Sequence, residues 1–227
     1  MIQLPFADRA EAGRLLAAEL TTLKFPENPI VLALPRGGLP VGLEVAKTLR
    51  APLDVVIVRK LGVPWQPELA MGAIASGSVQ TLDHDLIRAL GVSREEIDAI
   101  IAKERSEVER REKLYRKGRP ALDLRGRTVL LVDDGLATGS TMLVAARYVR
   151  SLKPGRTLIA VPVASVQACQ RLREEADDCI CLAIPGSFGA VGEWYVDFRQ
   201  VNDSEVQRIL EASRIAGKAN PSKFLAR

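Results

Sequence analysis

Apolar positions along the chain fall into two periods. Residues 30–34, 53–58, 128–132, 158–163 and 179–184 are short, nearly continuous apolar runs, the pattern of strands buried on both faces. Between them, 38–50, 139–152 and 165–176 carry apolar residues at helical spacing. Strand–helix–strand repetition predicts a mostly parallel sheet with right-handed crossovers, flanked by helices: an α/β fold. Two further helices are expected, at about 8–23, stopping before Phe25-Pro26, and at 203–216. The second has Asp203 as its cap and Val206, Ile209 and Leu210 on one face.

The stretch 59–127 breaks this rhythm. Gly62, Pro64, Trp65 and Pro67 predict a loop, and 71–76 and 78–82 flank Gly77 as a short hairpin would. Ser93-Arg94-Glu95-Glu96 is a capping box, so a long helix should start there and run to about Lys117 and Gly118. Glu107–Arg111, Glu109–Lys113 and Glu112–Arg116 are pairs four apart in the favourable order, each worth about 0.2–0.5 kcal/mol. The expected organisation is one domain over 1–216, with a hairpin-plus-long-helix insertion at about 60–126 and a frayed tail at 217–227.

Composition narrows the class. With 47% apolar and 26% charged residues in 227, the chain can bury a core, which excludes disorder, collagen and disulfide scaffolds. The net charge is +4, and ten basic against five acidic residues fall within 103–127. The excess therefore belongs to one segment, first of all a solvated helix, alternatively a polyanion or subunit contact; nucleic-acid binding is not what the whole chain announces. Cys169, Cys179 and Cys181 are too few and wrongly spaced for a zinc site or a disulfide framework. Cys179 and Cys181 alternate, so both should face the core from one strand. The single histidine, His84, reads as a helix-start residue, which excludes His-based triads and multi-His metal sites. No apolar run approaches the roughly 18 residues of a membrane span. The first residues lack a basic head followed by an apolar stretch, so a cytoplasmic protein without a secretory signal is expected.

The candidate chemistry lies where 128–132 runs into Asp133 and Asp134. A small-residue turn, Gly135-Leu136-Ala137-Thr138-Gly139-Ser140-Thr141, then leads into a helix. Ligands of open parallel sheets bind at the carboxyl ends of strands. Backbone N–H groups and the Thr138, Ser140 and Thr141 hydroxyls at a helix N-terminus form a phosphate cradle. Two adjacent carboxylates repel unless a cation or hydroxyl donors share them. A ribose 5-phosphate meets both demands, its phosphate in the cradle and its 2- and 3-hydroxyls on Asp133 and Asp134, at about 1.5–3 kcal/mol per charged hydrogen bond. Ser140 stands where a Walker loop needs Lys, and the GxGxxG fingerprint is absent. The alternative is that two surface acids and a flexible turn merely end a strand.

Val132-Asp133-Asp134-Gly135-Leu136-Ala137-Thr138-Gly139-Ser140-Thr141 resembles the phosphoribosyl pyrophosphate (PRPP) binding signature of type I phosphoribosyltransferases. Leu34-Pro35-Arg36-Gly37-Gly38 follows the first strand, where such enzymes have a pyrophosphate-binding loop. Lys60 stands where they place a further basic group, with Arg59 as its rival. The resemblance covers roughly 28–185. Arg59-Lys60-Leu61-Gly62 and Tyr195-Val196-Asp197-Phe198 bring the chain nearest to uncharacterised bacterial phosphoribosyltransferase-like proteins.

That resemblance implies an enzyme that displaces pyrophosphate from C1 of PRPP by a nitrogen nucleophile, a base or amine it does not identify. Asp133 and Asp134 would be catalytic. Gly135, Ala137, Thr138, Gly139, Ser140 and Thr141 would hold the 5-phosphate, and Arg36, the Gly37 and Gly38 amides and Lys60 the pyrophosphate. Mg2+ would be carried by substrate oxygens with no dedicated protein cage, Asp133 or Asp134 being the candidates for any protein contact. Ala137 stands where hypoxanthine–guanine enzymes carry an Asp, and Leu-Ala-Thr-Gly is closer to adenine enzymes. Four of the ten aromatic residues fall within 188–198, making Trp194 and Tyr195 base-stacking candidates; packing of this segment on the sheet explains the same cluster. Trp65 is a lid candidate, and a homodimer is common among similar enzymes. The alternative function is a PRPP- or nucleotide-sensing regulator with the basic helix, through Arg110, Arg111 and Arg116, touching nucleic acid.

Overall fold

A computed structural model describes residues 3–25, 27–76, 80–118 and 120–218. In chain order the helices are α1 Arg9–Thr21, α2 Gly38–Leu49, α3 His84–Leu90, α4 Arg94–Arg116, α5 Ser140–Ser151, α6 Val166–Leu172 and α7 Asp203–Lys218. The strands are β1 Ile30–Ala33, β2 Leu53–Val55, β3 Val58–Val63, β4 Gln66–Ala75, β5 Gln80–Leu82, β6 Thr128–Val132, β7 Arg156–Val163 and β8 Asp178–Ala183. Five of them form a wholly parallel sheet in the order β2-β1-β6-β7-β8.

The continuous apolar runs are explained by this arrangement, because side chains alternate between two buried faces. Val31, Ala33, Leu130, Val132, Leu158 and Ala160 point into one core with α1, α2, α4 and α7. Ile30, Leu32, Val129, Leu131, Ile159 and Val161 point into the other, beneath α5 and α6. A third cluster joins Phe6 and Ala12 to Val163 and Tyr195, with Phe188, Val191, Trp194 and Phe198 around it. This is a small hood at the carboxyl end of the sheet, and it stitches distant segments together: Phe6 N–H donates to Trp194 O and Val196 N–H to Phe6 O.

Two expectations are corrected in the middle segment. The run 53–58 is not one strand. β2 ends at Val55, and β3 belongs to a separate antiparallel sheet ordered β3-β4-β5. The expected loop at 62–67 is instead a two-residue connection, Pro64-Trp65, between β3 and β4, with register shifts around Gly62. Hairpin partners β4 and β5 are antiparallel as expected; Gly77 and Ser78 lie outside the described residues.

Helix α4 has its capping box, with Ser93 Oγ accepting from Glu96 N–H and Glu96 Oε2 accepting from Ser93 N–H. Ile101, Val108 and Tyr115 are buried at seven-residue spacing and lay the helix on the second sheet and α7. His84 opens α3 behind an Asp83 cap. At α7 it is Asn202 that caps, accepting from Glu205 N–H at 2.9 Å, while Asp203 is the first helical residue. That helix reaches Lys218, and the tail from 219 lies outside the described residues. No helix among the described residues is long and apolar enough to cross a membrane.

Candidate functional site

Two central parallel strands, β1 and β6, end side by side, with Ala33 opposite Val132. Each leads through a glycine-bearing turn into a helix. The two motifs therefore meet in space, and they meet closely. A Cβ added at Gly37 would lie 2.0 Å from Asp134 Oδ2. One added at Gly38 would lie 2.7 Å from Val132 O and 3.1 Å from Asp133 Oδ1. Only residues without side chains let the β1 turn settle on the acid pair. The Gly38 amide is not available to a ligand, a correction to the sequence reading: it donates to Leu34 O at 3.0 Å. What Gly38 supplies is room.

The helices that start here differ from their neighbours. Helices α1, α3, α4 and α6 are capped by Asp8, Asp83, Ser93 and Ser165. Helices α2 and α5 begin after Gly37 and Gly139 with no side-chain cap. Their first-turn dipoles face the shared crevice. At α5, Thr138 and Thr141 are exposed and Ser140 half-buried, with Thr138 Oγ1 and Ser140 Oγ 3.1 Å apart. Gly139 has φ of +69°, and an added Cβ would lie 3.2 Å from Leu172 Cδ1 and 3.3 Å from Ala168 Cβ, so α6 backs the turn. Ala137 is exposed at the same turn. Gly135 abuts the hood, where its Cβ would be 2.6 Å from Val191 Cγ1.

The two acids are held differently. Asp134 Oδ2 accepts from Arg9 Nε at 2.7 Å, and both side chains are about nine-tenths buried at 13% and 10% exposure. Asp133 Oδ1 accepts from Asp134 N–H at 2.9 Å, and among the described residues no cation pairs with it. Burial, and then the charge of Asp134, push the Asp133 carboxyl well above the ordinary range. Burial raises Asp134 as well, against the pull of the Arg9 guanidinium.

Arg9 is the residue that sequence reasoning missed. Besides Asp134 it donates to Arg199 O at 2.8 Å and lies 3.8 Å from the centroid of the Phe198 ring. Tyr195 completes the frame, its hydroxyl donating to Asp134 O at 2.5 Å. This corrects the base-stacking reading of Tyr195. It is 5% exposed, and its ring is flanked by Phe6 at 5.5 Å and Phe198 at 5.1 Å, leaving no face for a base. Trp194 is half-buried beside Phe188 and presents no such obstacle. Trp65 is exposed at the β3–β4 turn.

The basic candidates separate. Arg36 is partly exposed at the β1 turn, and its Nη1 is 3.7 Å from Asp203 Oδ1. Asp203 also accepts from Tyr115 Oη at 2.6 Å and lies 3.8 Å from Arg110 Nη1, so α4, α7 and the β1 turn converge on one carboxylate. Burial and Asp203 push the Tyr115 phenol up to about 12. Lys60 does not follow a strand of the main sheet. It sits within β3, opposite Ala73. Its rival Arg59 is engaged by Glu104 at 2.6 Å.

The three arginines singled out on the basic helix each have a partner within the chain. Arg110 and Arg111 both bind Glu107, whose carboxyl they hold down at about 2. Arg116 is buried, donating to Val55 O at 2.9 Å. The expected pairing of Arg116 with Glu112 gives way to Asp54, 3.7 Å away.

Comparison with known proteins adds four findings. The family model described as "Phosphoribosyl transferase domain" matches residues 8–199. A Mycobacterium tuberculosis protein named "Putative phosphoribosyl transferase" is 44% identical over 206 residues, 91% of this chain and 46% of its own length. The chain thus spans about half of that relative. Among solved structures, TT1426 of Thermus thermophilus superimposes with a TM-score of 0.82 at 43% identity, over 90% of this chain and 97% of that one. The AQ2163 protein of Aquifex aeolicus shares the fold, with a TM-score of 0.50 at 14% identity over 81% and 78%.

Proposed function

The chain belongs to the phosphoribosyl transferase domain family, and on that premise we propose that it is a cytoplasmic enzyme transferring ribose 5-phosphate from PRPP to a nitrogenous base or amine. One observation carries the reading: Gly37 and Gly38 rest directly on Asp133 and Asp134 between two helix N-termini whose cap residues are the glycines Gly37 and Gly139. A ligand with a phosphate at each end and a diol between them matches that order of groups.

The 5-phosphate would lie at the start of α5, against the hydroxyls of Thr138, Ser140 and Thr141. The diol would donate to the acid pair. The pyrophosphate would lie at the start of α2, beside Arg36. The acceptor nitrogen adds its lone pair to C1 while the C1–O bond breaks, and the electron pair leaves with pyrophosphate. Positive charge develops on the ribose in between, as in glycoside chemistry, and the carboxylates beneath it stabilise that charge. Arg9 favours the ionised form of Asp134 against the effect of burial and fixes its orientation without needing to touch the substrate. Asp133, with which no cation pairs among the described residues, suits a metal carried on substrate oxygens, and Mg2+ there would neutralise the departing pyrophosphate.

The test is calorimetric titration of PRPP with Mg2+ into wild type and Asp133→Asn, which leaves the Arg9–Asp134 pair intact. Wild type should bind, and the variant should bind roughly ten- to a hundredfold more weakly, about 1.4–2.8 kcal/mol. Absence of wild-type binding would sink the proposal. If binding is seen, PRPP-dependent consumption of individual free bases identifies the acceptor.

A further inference from the structure

Outside this site, the fold gathers the three cysteines whose spacing in sequence argues against a common role. Cys169 lies on α6, and Cys179 and Cys181 lie on one face of β8, the edge strand of the main sheet. Cys169 Sγ is 3.0 Å from Cys181 Sγ, Cys181 Sγ is 3.8 Å from Cys179 Sγ, and all three lie within 4.8 Å of one another. All three thiols are free. We propose that Cys169, Cys179 and Cys181 form a trithiolate site for one thiophilic d10 cation, Cu(I) or Zn(II), and that its occupancy stiffens the turn at 136–139.

The ligand set points to that class of ion. Only sulfur donors belong to the cluster, with no histidine or carboxylate among the described residues joining it. Hard cations prefer oxygen, whereas thiolates select Cu(I) and Zn(II). Metal–sulfur bonds of about 2.3 Å put the sulfurs of one ion about 3.8–4 Å apart. The Cys179–Cys181 pair already has that separation, and Cys169 has to open by less than 1 Å. Cys179 and Cys181 are half-buried on an edge strand, so an ion can enter from solvent, while Cys169 at 3% exposure shields its inner side.

The cluster also has a mechanical connection to the α5 turn. Cys169 is one helical turn from Ser165, and its N–H donates to Ser165 O. Ser165 in turn donates from Oγ to Ala137 O at 2.6 Å and from N–H to Leu136 O at 2.9 Å. Ala168, adjacent to Cys169, packs where a Cβ on Gly139 would stand. An ion that clamps α6 to β8 therefore restrains the carbonyls of Leu136 and Ala137. This step is independent of whether the turn binds PRPP.

The experiment uses the whole reduced chain without oxygen. Cu(I) is titrated against a chromophoric Cu(I) chelator, and Zn(II) separately against a chromophoric Zn(II) chelator, for wild type, C169S, C179S and C181S. Wild type should hold one ion of at least one metal with a thiolate-to-metal charge-transfer band. Each variant should lose affinity more than about a hundredfold, beyond the loss caused by mutating a group that merely supports a ligand. Amide exchange at 136–139 should slow on loading. The site is overturned if neither ion survives competition, or if the serine variants hold it equally well. Unchanged exchange in a loaded protein overturns the stiffening. Where a serine variant fails to fold, the wild-type stoichiometry and charge-transfer band decide.

Discussion

Arg9 Nε lies 2.7 Å from Asp134 Oδ2, joining the first turn of α1 to the end of β6 across 125 positions of sequence. Neither partner has much access to water, so the pair replaces hydration for both charges. Removing one partner strands the other. Arg9→Ala should lower unfolding stability by about 3–5 kcal/mol in urea denaturation. Combining it with Asp134→Asn should recover part of that loss, because the stranded charge is gone; a purely additive double variant would contradict the assignment.

Gly37→Ala tests how closely the two loops must approach. Its Cβ would fall 2.0 Å from Asp134 Oδ2, so either the β1 turn or the carboxylate has to move. The expected result is at least a tenfold loss of PRPP affinity by calorimetry, about 1.4 kcal/mol or more. Circular dichroism should stay that of wild type.

The raised Asp133 carboxyl makes both folding and binding depend on pH, in opposite senses. In the unfolded chain this group releases its proton near about pH 3.9. In the folded chain burial and Asp134 keep the proton on until a higher pH. Between those two values the folded state binds more protons, so the contribution to stability is full at acid pH and falls as pH rises through the window. A ligand that needs Asp133 ionised instead gains affinity over the same interval and expels a proton. Calorimetry of PRPP with Mg2+ in two buffers of different ionisation enthalpy should report that release, and Asp133→Asn should abolish it.

Asp203 serves a phenol in the core and an arginine at the β1 turn, and the two roles can be separated. Tyr115→Phe removes a hydrogen bond to a charged group, which should cost about 1.5–3 kcal/mol of stability while leaving PRPP affinity unmoved. Asp203→Asn weakens the hold on Arg36 as well, so affinity should fall alongside stability. Equal affinity in the two variants would show that Asp203 does not orient Arg36.

The main sheet was legible because strands buried on both faces have to be apolar almost throughout, as 30–33 and 129–132 are. The same reasoning could not place the break after Val55. Val56 and Ile57 are buried in opposite cores although they belong to neither sheet, and an apolar run does not say where hydrogen bonding changes partner. The Asp133–Thr141 turn carries its own local signal in small residues and acids. Arg9 carries none, since a single arginine at a helix start looks like any solvated cation until the fold brings Phe198 and Asp134 to it. The aromatic cluster at 188–198 was visible, but aromatic residues suit both packing and stacking, and Tyr195 turned out to pack. The cysteine spacing did not show that the three sulfurs meet, for a related reason: β7 turns into α6 and back to β8, so twelve positions of separation close to 3.0 Å between Cys169 and Cys181.

The hood that fixes Asp134 is built from segments far apart in sequence, Phe6 and Arg9 on one side and Tyr195 and Phe198 on the other. A chain emerging from the ribosome can pair β1 with β6 soon after Val132 is free, well before that hood exists. Until residue 198 has cleared the exit tunnel, Asp134 has neither the hydroxyl of Tyr195 on its carbonyl nor the Phe198 ring that steadies its guanidinium partner. The crevice is thus completed only when the stretch 195–198 has been made, and a nascent chain arrested at 190 would carry the whole acid-and-glycine motif without the frame that orders it.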